Sequence, residues 1–206
     1  MFISLSSSFT GNACAIRDSI NTYITESGEN QFFDYLVTSM KSVNQILEGK
    51  EIQFESDYIY PNPLDMTSIN FKDFDLITSH HDIKEFNNNS ITEITEKYNR
   101  RYNRLINLIK NKDKIYFIRY CRNSENLEED EIHKFYQNIK SINPFLSFYF
   151  ILISDDDSLK IPTSLSKENF IYINLNKHIT QEAIDEEDYY QKIIKTYKCV
   201  FEIVKN

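Results

Sequence analysis

Two stretches of this sequence are apolar on both of their alternating faces. They are Lys114 to Cys121, reading Lys-Ile-Tyr-Phe-Ile-Arg-Tyr-Cys, and Phe145 to Ser154, reading Phe-Leu-Ser-Phe-Tyr-Phe-Ile-Leu-Ile-Ser. A strand with one wet face alternates apolar and polar residues. A strand apolar on both faces must be covered on both, as in parallel sheets flanked by helices. Glu128 to Ile142, between them, has helical spacing and an acidic first turn that suits the helix dipole. Strand and helix alternate at this spacing in α/β folds with a mainly parallel sheet.

The rest of the chain fits that frame. Phe2 to Leu5 is a short apolar run that enters a turn of small polar residues, Ser6-Ser7-Ser8, and Gly11 then precedes a helical pattern over Ala13 to Thr25. Gly28 breaks it. Ser39 caps a helix whose apolar face is Val43, Ile46 and Leu47, closed by Gly49. Ile52 to Tyr60 reads as a strand ended by Pro61-Asn62-Pro63, and Phe71 to Thr78 as a second strand delivering Ser79-His80-His81-Asp82 at its end. Ile91 to Asn111 carries a stripe of Ile94, Tyr98, Tyr102, Leu105, Ile106 and Ile109. Phe170 to Leu175 is a further strand and Tyr189 to Val204 a closing helix. The expected fold is α/β, a three-layer Rossmann-like arrangement with a mainly parallel central sheet, forming one domain over residues 1–206. Phe117, Ile118, Phe150, Leu152 and Ile173 are expected in adjacent, central strands.

Charge and cysteine usage narrow the function classes. A net charge of −8 disfavours nucleic acid and anionic membrane as partners of the whole chain. The longest apolar run, Phe148 to Ile153, is far short of the ~20 residues a membrane span needs. The N-terminus lacks the basic region and long apolar core of a signal peptide. Cys14, Cys121 and Cys199 make neither a disulfide framework nor a close metal pair, so a reduced cytoplasmic protein without metal or cofactor is expected.

Several groups of residues could carry chemistry. Cys14 lies near a helix N-terminus, where the dipole favours a nucleophilic thiolate; the bland alternative is a small buried hydrophobe. His80-His81-Asp82 offers an imidazole oriented by a carboxylate, as a general base requires, with only one histidine able to face a cleft; otherwise it is a solvated loop. Asp34, within Phe-Phe-Asp-Tyr-Leu, must find donors, and a structural role weighs against a catalytic one. Ser6, Ser7, Ser8 and Gly11 form a turn whose backbone N–H groups suit an anion, with Arg119 as a candidate counter-charge. Asp155 to Asp157 could hold a divalent cation on a phosphate, although acidic turns after strands are common. Arg100, Arg101 and Arg104 read as a solvated helix face.

In succession, Ile3-Ser4-Leu5, Phe33-Asp34-Tyr35, His81-Asp82, Arg100-Arg101 and Phe117-Ile118-Arg119 resemble the family named putative papain-like cysteine peptidases, over roughly Met1 to Asp155. Ser6 stands at that family's glycine and Tyr35 at its tryptophan. The family cysteine falls near Phe9 by strict spacing, and Cys14 takes its role only if the turn carries an insertion of several residues. The resemblance implies a cysteine-dependent hydrolase or acyl transferase acting on a small-molecule or peptide substrate, with Cys14 as nucleophile, His81 as base and Asp82 or Asp34 as orienter. Two readings stand beside it: a glycosyltransferase-like or nucleotide-sugar-binding protein, and a non-catalytic relative that binds a partner.

Overall fold

The computed structural model describes the chain apart from residues 7–10, 25–27, 63–65, 84–88, 123–126, 166–168 and 206. Its strands divide between two four-stranded sheets. The first contains β1 (Phe2–Ser4), β6 (Lys114–Tyr120), β7 (Ser147–Ser154) and β8 (Phe170–Asn174), all parallel and side by side in that order. The doubly apolar runs are β6 and β7, at its centre, with Phe117 opposite Phe150 and Ile118 opposite Ile151. Ile173, expected in a central strand, lies in β8 at the sheet's edge, where it is nonetheless buried.

Both faces of this sheet are covered, which explains the sequence pattern. On one face Ile118, Tyr120, Ile151 and Ile153 pack with Ile16 and Ile20 of α1 (Gly11–Tyr23), Ile194 of α6 (Tyr189–Thr196) and Val200 of α7 (Lys198–Lys205). On the other, Phe117, Phe150 and Leu152 pack with Val43 and Ile46 of α2 (Met40–Leu47), Leu105 of α3 (Ser90–Asn111) and Phe135 of α4 (Glu129–Ile142). A four-residue helix, α5 (Gln181–Ile184), precedes α6. The closing helix thus comes as two segments, divided at Tyr197.

The second sheet corrects the expectation of one mainly parallel sheet. It is antiparallel, with β2 (Leu36–Thr38), β3 (Ile59–Asn62), β4 (Met66–Asn70) and β5 (Ile77–Ile83) ordered β2-β5-β4-β3. The Ile52 to Tyr60 run becomes a strand only at Ile59, after a 3-10 turn at Ser56–Tyr58, and β3 continues through Pro61. Proline is tolerated there because β3 is an edge strand. Phe71 to Leu76 makes a turn, with Asp73 left-handed at φ 60°, and the strand begins at Ile77. His80, His81 and Asp82 therefore lie inside β5 rather than beyond a strand end. Ile69 and Ile77 of this sheet join the core against α2 and α3.

Helix ends follow their local signals. Ser39 caps α2 by accepting the Ser42 N–H at 3.1 Å, and Gly49, at φ 81°, follows its end in the left-handed conformation glycine adopts without strain.

Candidate functional site

Cys14 occupies the first turn of α1, which follows the parallel strand β1. Its side chain is half-buried, whereas Cys121 and Cys199 are buried. Asp18 lies one helical turn further on, on the same face. The Asp18 carboxylate accepts the phenol of Tyr35 and, at 2.7 Å, the phenol of Tyr190. Burial pushes the Cys14 thiol above its ordinary value, and the Asp18 charge pushes it further. The dipole argument alone anticipates a lowered thiol; desolvation and a carboxylate one turn away outweigh it.

Asp34 is 1% exposed and forms an ion pair with Arg17 of α1, Nε to Oδ2 at 3.3 Å. The Gln31 N–H donates to the same oxygen at 2.6 Å, and Arg17 Nη2 donates to the Gly28 carbonyl at 2.7 Å. Burial holds the Asp34 carboxyl above the ordinary carboxylate range; Arg17, the Gln31 N–H and Arg101 pull against it. Oδ1 has no hydrogen-bond donor among the described residues. Asp34 and Tyr35 thus grip α1 at the adjacent residues Arg17 and Asp18, one turn past Cys14. Tyr35 does so from the left-handed region, at φ 63°.

His80, His81 and Asp82 sit at an irregularity of the sheet. Thr67 pairs with Ile83 but Ile69 pairs with Ser79, so three residues of β5 oppose Ser68 alone. His80 Nδ1 lies 2.9 Å from Ser68 Oγ. The Asp82 carboxylate accepts Ser79 Oγ at 2.5 Å, the Tyr98 phenol and the Lys97 ammonium, both from α3. Burial alone would raise Asp82, but Lys97, Ser79 and Tyr98 bring it below the ordinary carboxylate range. The backbone of His81 is part of β5, and its side chain lies outside the described residues. Leu36 pairs with Ser79, so the residues just before β2, Asp34 and Tyr35, reach the same end of these paired strands as His80 and His81.

The expected anion turn is described only in part, since Ser7 and Ser8 lie outside the described residues. Ser6 is fully buried at φ 43°, its N–H donates to Ser4 Oγ at 3.0 Å, and its own hydroxyl has no partner among the described residues. Gly11 opens α1. Arg119 faces inward, 3% exposed, and donates to the Ser6 and Thr38 carbonyls and to Glu128 Oε2 at 3.2, 3.0 and 3.0 Å. Glu128 in turn accepts the Met40 N–H at 2.8 Å. Arg119 therefore ties β1, β2 and the start of α4 together. The three aspartates also face protein partners: Asp155 accepts from Tyr120, Asp157 from Asn174, and Asp156 from Ser158. Among the described residues, no three His, Cys, Asp or Glu side chains converge as a metal site.

Helix α3 departs from the solvated face expected of its arginines. Arg100 is exposed beside Glu96, but Arg104 binds the Asn30 carbonyl and Glu29, and Arg101 lies over the Tyr98 ring at 5.5 Å. Arg104 thus braces the segment that leads into Asp34. Asp18, Arg17 and Lys97 escape a motif search; the visible signals are their helical positions, Asp18 four residues after Cys14 and Tyr98 on the apolar stripe of α3.

An α/β chain with a thiol at the start of its first helix, buttressed by an Asp-Tyr pair, is the class of protein these elements define. The sequence matches the family described as "Putative papain-like cysteine peptidase" over residues 16–158, more than half of its length, and the chain belongs to that family. The matched stretch includes Asp34, His81, Asp82 and Arg119 and begins after Ser6, Gly11 and Cys14. Comparison with curated proteins and with solved structures found no match. No helix among the described residues is long and apolar enough to cross a membrane.

Proposed function

We propose that this chain is a cysteine-dependent hydrolase or acyl transferase, acting on a peptide or a small amide or ester, with Cys14 as nucleophile and His81 as base. The observation that carries this is the position of Cys14, in the first turn of α1 and less buried than the other two cysteines. Family membership adds to it. In the reaction Cys14 Sγ attacks the carbonyl carbon while its proton passes to His81. The carbon–leaving-group bond breaks as His81 returns that proton to the leaving group. Water, or another acceptor, then cleaves the thioester with His81 again as base. Asp34 and Asp82 are positioning residues: Asp34 holds α1 through Arg17, and Asp82 anchors the irregular segment of β5 to α3. The same reading takes the parallel sheet, helix-covered on both faces, as the centre of a Rossmann-like three-layer arrangement.

The raised thiol of Cys14 sets the test. Iodoacetamide, which needs a pre-formed thiolate, should label Cys14 slowly at neutral pH and faster under alkaline conditions. An acyloxymethyl ketone, which engages nucleophile and base together, should label it at neutral pH in wild type and lose that labelling in His81→Ala. Equal labelling of wild type and His81→Ala, or none at Cys14, would overturn the proposal.

A further inference from the structure

The antiparallel sheet has one face in the core and one face outside it. Ile69, Ile77 and Ser79 point inward and are buried, whereas Asn70 and His80 alternate with them on the other side. That outer face floors a cleft of about 450 Å³, within the size range of small-ligand sites. Its walls are aromatic: Tyr58 from the 3-10 turn, Tyr60 from β3 and Phe74 from the turn before β5. Tyr60 is 47% exposed, so its ring is accessible to a ligand in the cleft.

The polar groups decide what fits. Asn70 Oδ1 accepts the Thr78 hydroxyl at 2.6 Å, which leaves its N–H donors without an acceptor among the described residues. Asp75, at the rim, supplies a carboxylate whose charge Lys41 balances at 3.2 Å. None of the described residues lining the cleft is lysine or arginine. Lys50 caps the Phe74 ring at 4.8 Å, but donates to the Asp73 carbonyl. The two ammonium groups beside the lining, Lys41 and Lys50, are engaged with Asp75 and the Asp73 carbonyl, so a phosphate or carboxylate ligand would meet the Asp75 charge with no lysine or arginine among the described lining residues. A purely apolar ligand would strip water from Asn70, His80 and Asp75 without replacing their hydrogen bonds. A ring with an apolar face and hydroxyl edges satisfies both the walls and the floor.

We propose that this outer cleft is a binding site for a neutral saccharide, stacked on Tyr60 and hydrogen-bonded by Asn70 and Asp75. The site is separate from Cys14 and stands or falls independently of the hydrolase reading. The test is titration calorimetry of the full chain with a panel of neutral hexose and N-acetylhexosamine disaccharides, alongside a sulfated disaccharide and a nucleoside diphosphate. A neutral disaccharide should bind, and Tyr60→Ala and Asn70→Ala should each weaken it about tenfold or more. Tyr60→Phe, which keeps the ring, should bind as wild type does. Tyr60 is exposed, so the alanine variant should melt with the wild-type protein, and that melting curve accompanies each titration. Failure of every neutral disaccharide to bind, indifference to Tyr60→Ala, or tighter binding of the sulfated or phosphorylated probe overturns the proposal.

Discussion

At Ser6 two unfavourable features coincide. Its backbone sits at φ 43°, where a side chain is strained, and its buried hydroxyl has no partner among the described residues. The left-handed conformation costs a non-glycine residue about 1–2 kcal/mol, and an unsatisfied buried hydroxyl about 1–3 kcal/mol. Glycine removes both and loses only about 0.4–1 kcal/mol through the greater freedom of the unfolded chain. Ser6→Gly should therefore stabilise the protein by about 1 kcal/mol or more, read as a raised urea midpoint with an unchanged slope. An unchanged or lowered midpoint would show that the hydroxyl is satisfied or the backbone relaxed in solution.

Among the elements, α3 does more than cover the sheet. Its Lys97 and Tyr98 hold Asp82 of β5, and its Arg104 holds the loop before β2. Asp82 is depressed in the folded protein, so its contribution is complete above the ordinary carboxylate range and is lost as pH falls through the lowered folded value. Asp82→Asn should cost about 1.5–3 kcal/mol at neutral pH, the scale of charge-assisted hydrogen bonds. The variant should also lose less stability on acidification than the wild type does. Chemical unfolding across an acid pH series measures both; parallel acid limbs would mean that Asp82 does not titrate differently on folding.

Across the whole molecule, the parallel sheet separates two apolar cores, and Ile118 lies on the face covered by α1, α6 and α7. It is 1% exposed in a central strand, so Ile118→Ala should cost about 2–5 kcal/mol. The same substitution at Ile173, 2% exposed but in the edge strand β8, should cost less, because an edge relaxes more readily around a cavity. Denaturant unfolding of the two variants tests the order, and a larger loss at Ile173 would reverse the assignment of centre and edge.

The amino-acid sequence alone was enough for the parts whose signal is local. The central parallel strands declared themselves because burial on both faces excludes polar residues from both. The cap of α2, the periodicity of α2, α3 and α4, and a thiol at the start of α1 could be read in the same way, whereas the serine expected to cap α3, Ser90, lies inside that helix and Asn89 precedes it without a side-chain cap. The antiparallel sheet was hidden. Its β2 is three residues long, its β3 contains Pro61, and its β5 departs from regular pairing at His80 to Asp82, so no alternating run marks it. Partners were hidden too. That Asp34 meets Arg17, that Tyr35 reaches Asp18, and that Asp82 turns to Lys97 and Tyr98 depend on distances across the folded core. A buried carboxylate announces that it needs a donor, but only the tertiary structure decides which one arrives, because many cations lie equally far along the chain and burial selects among them by geometry.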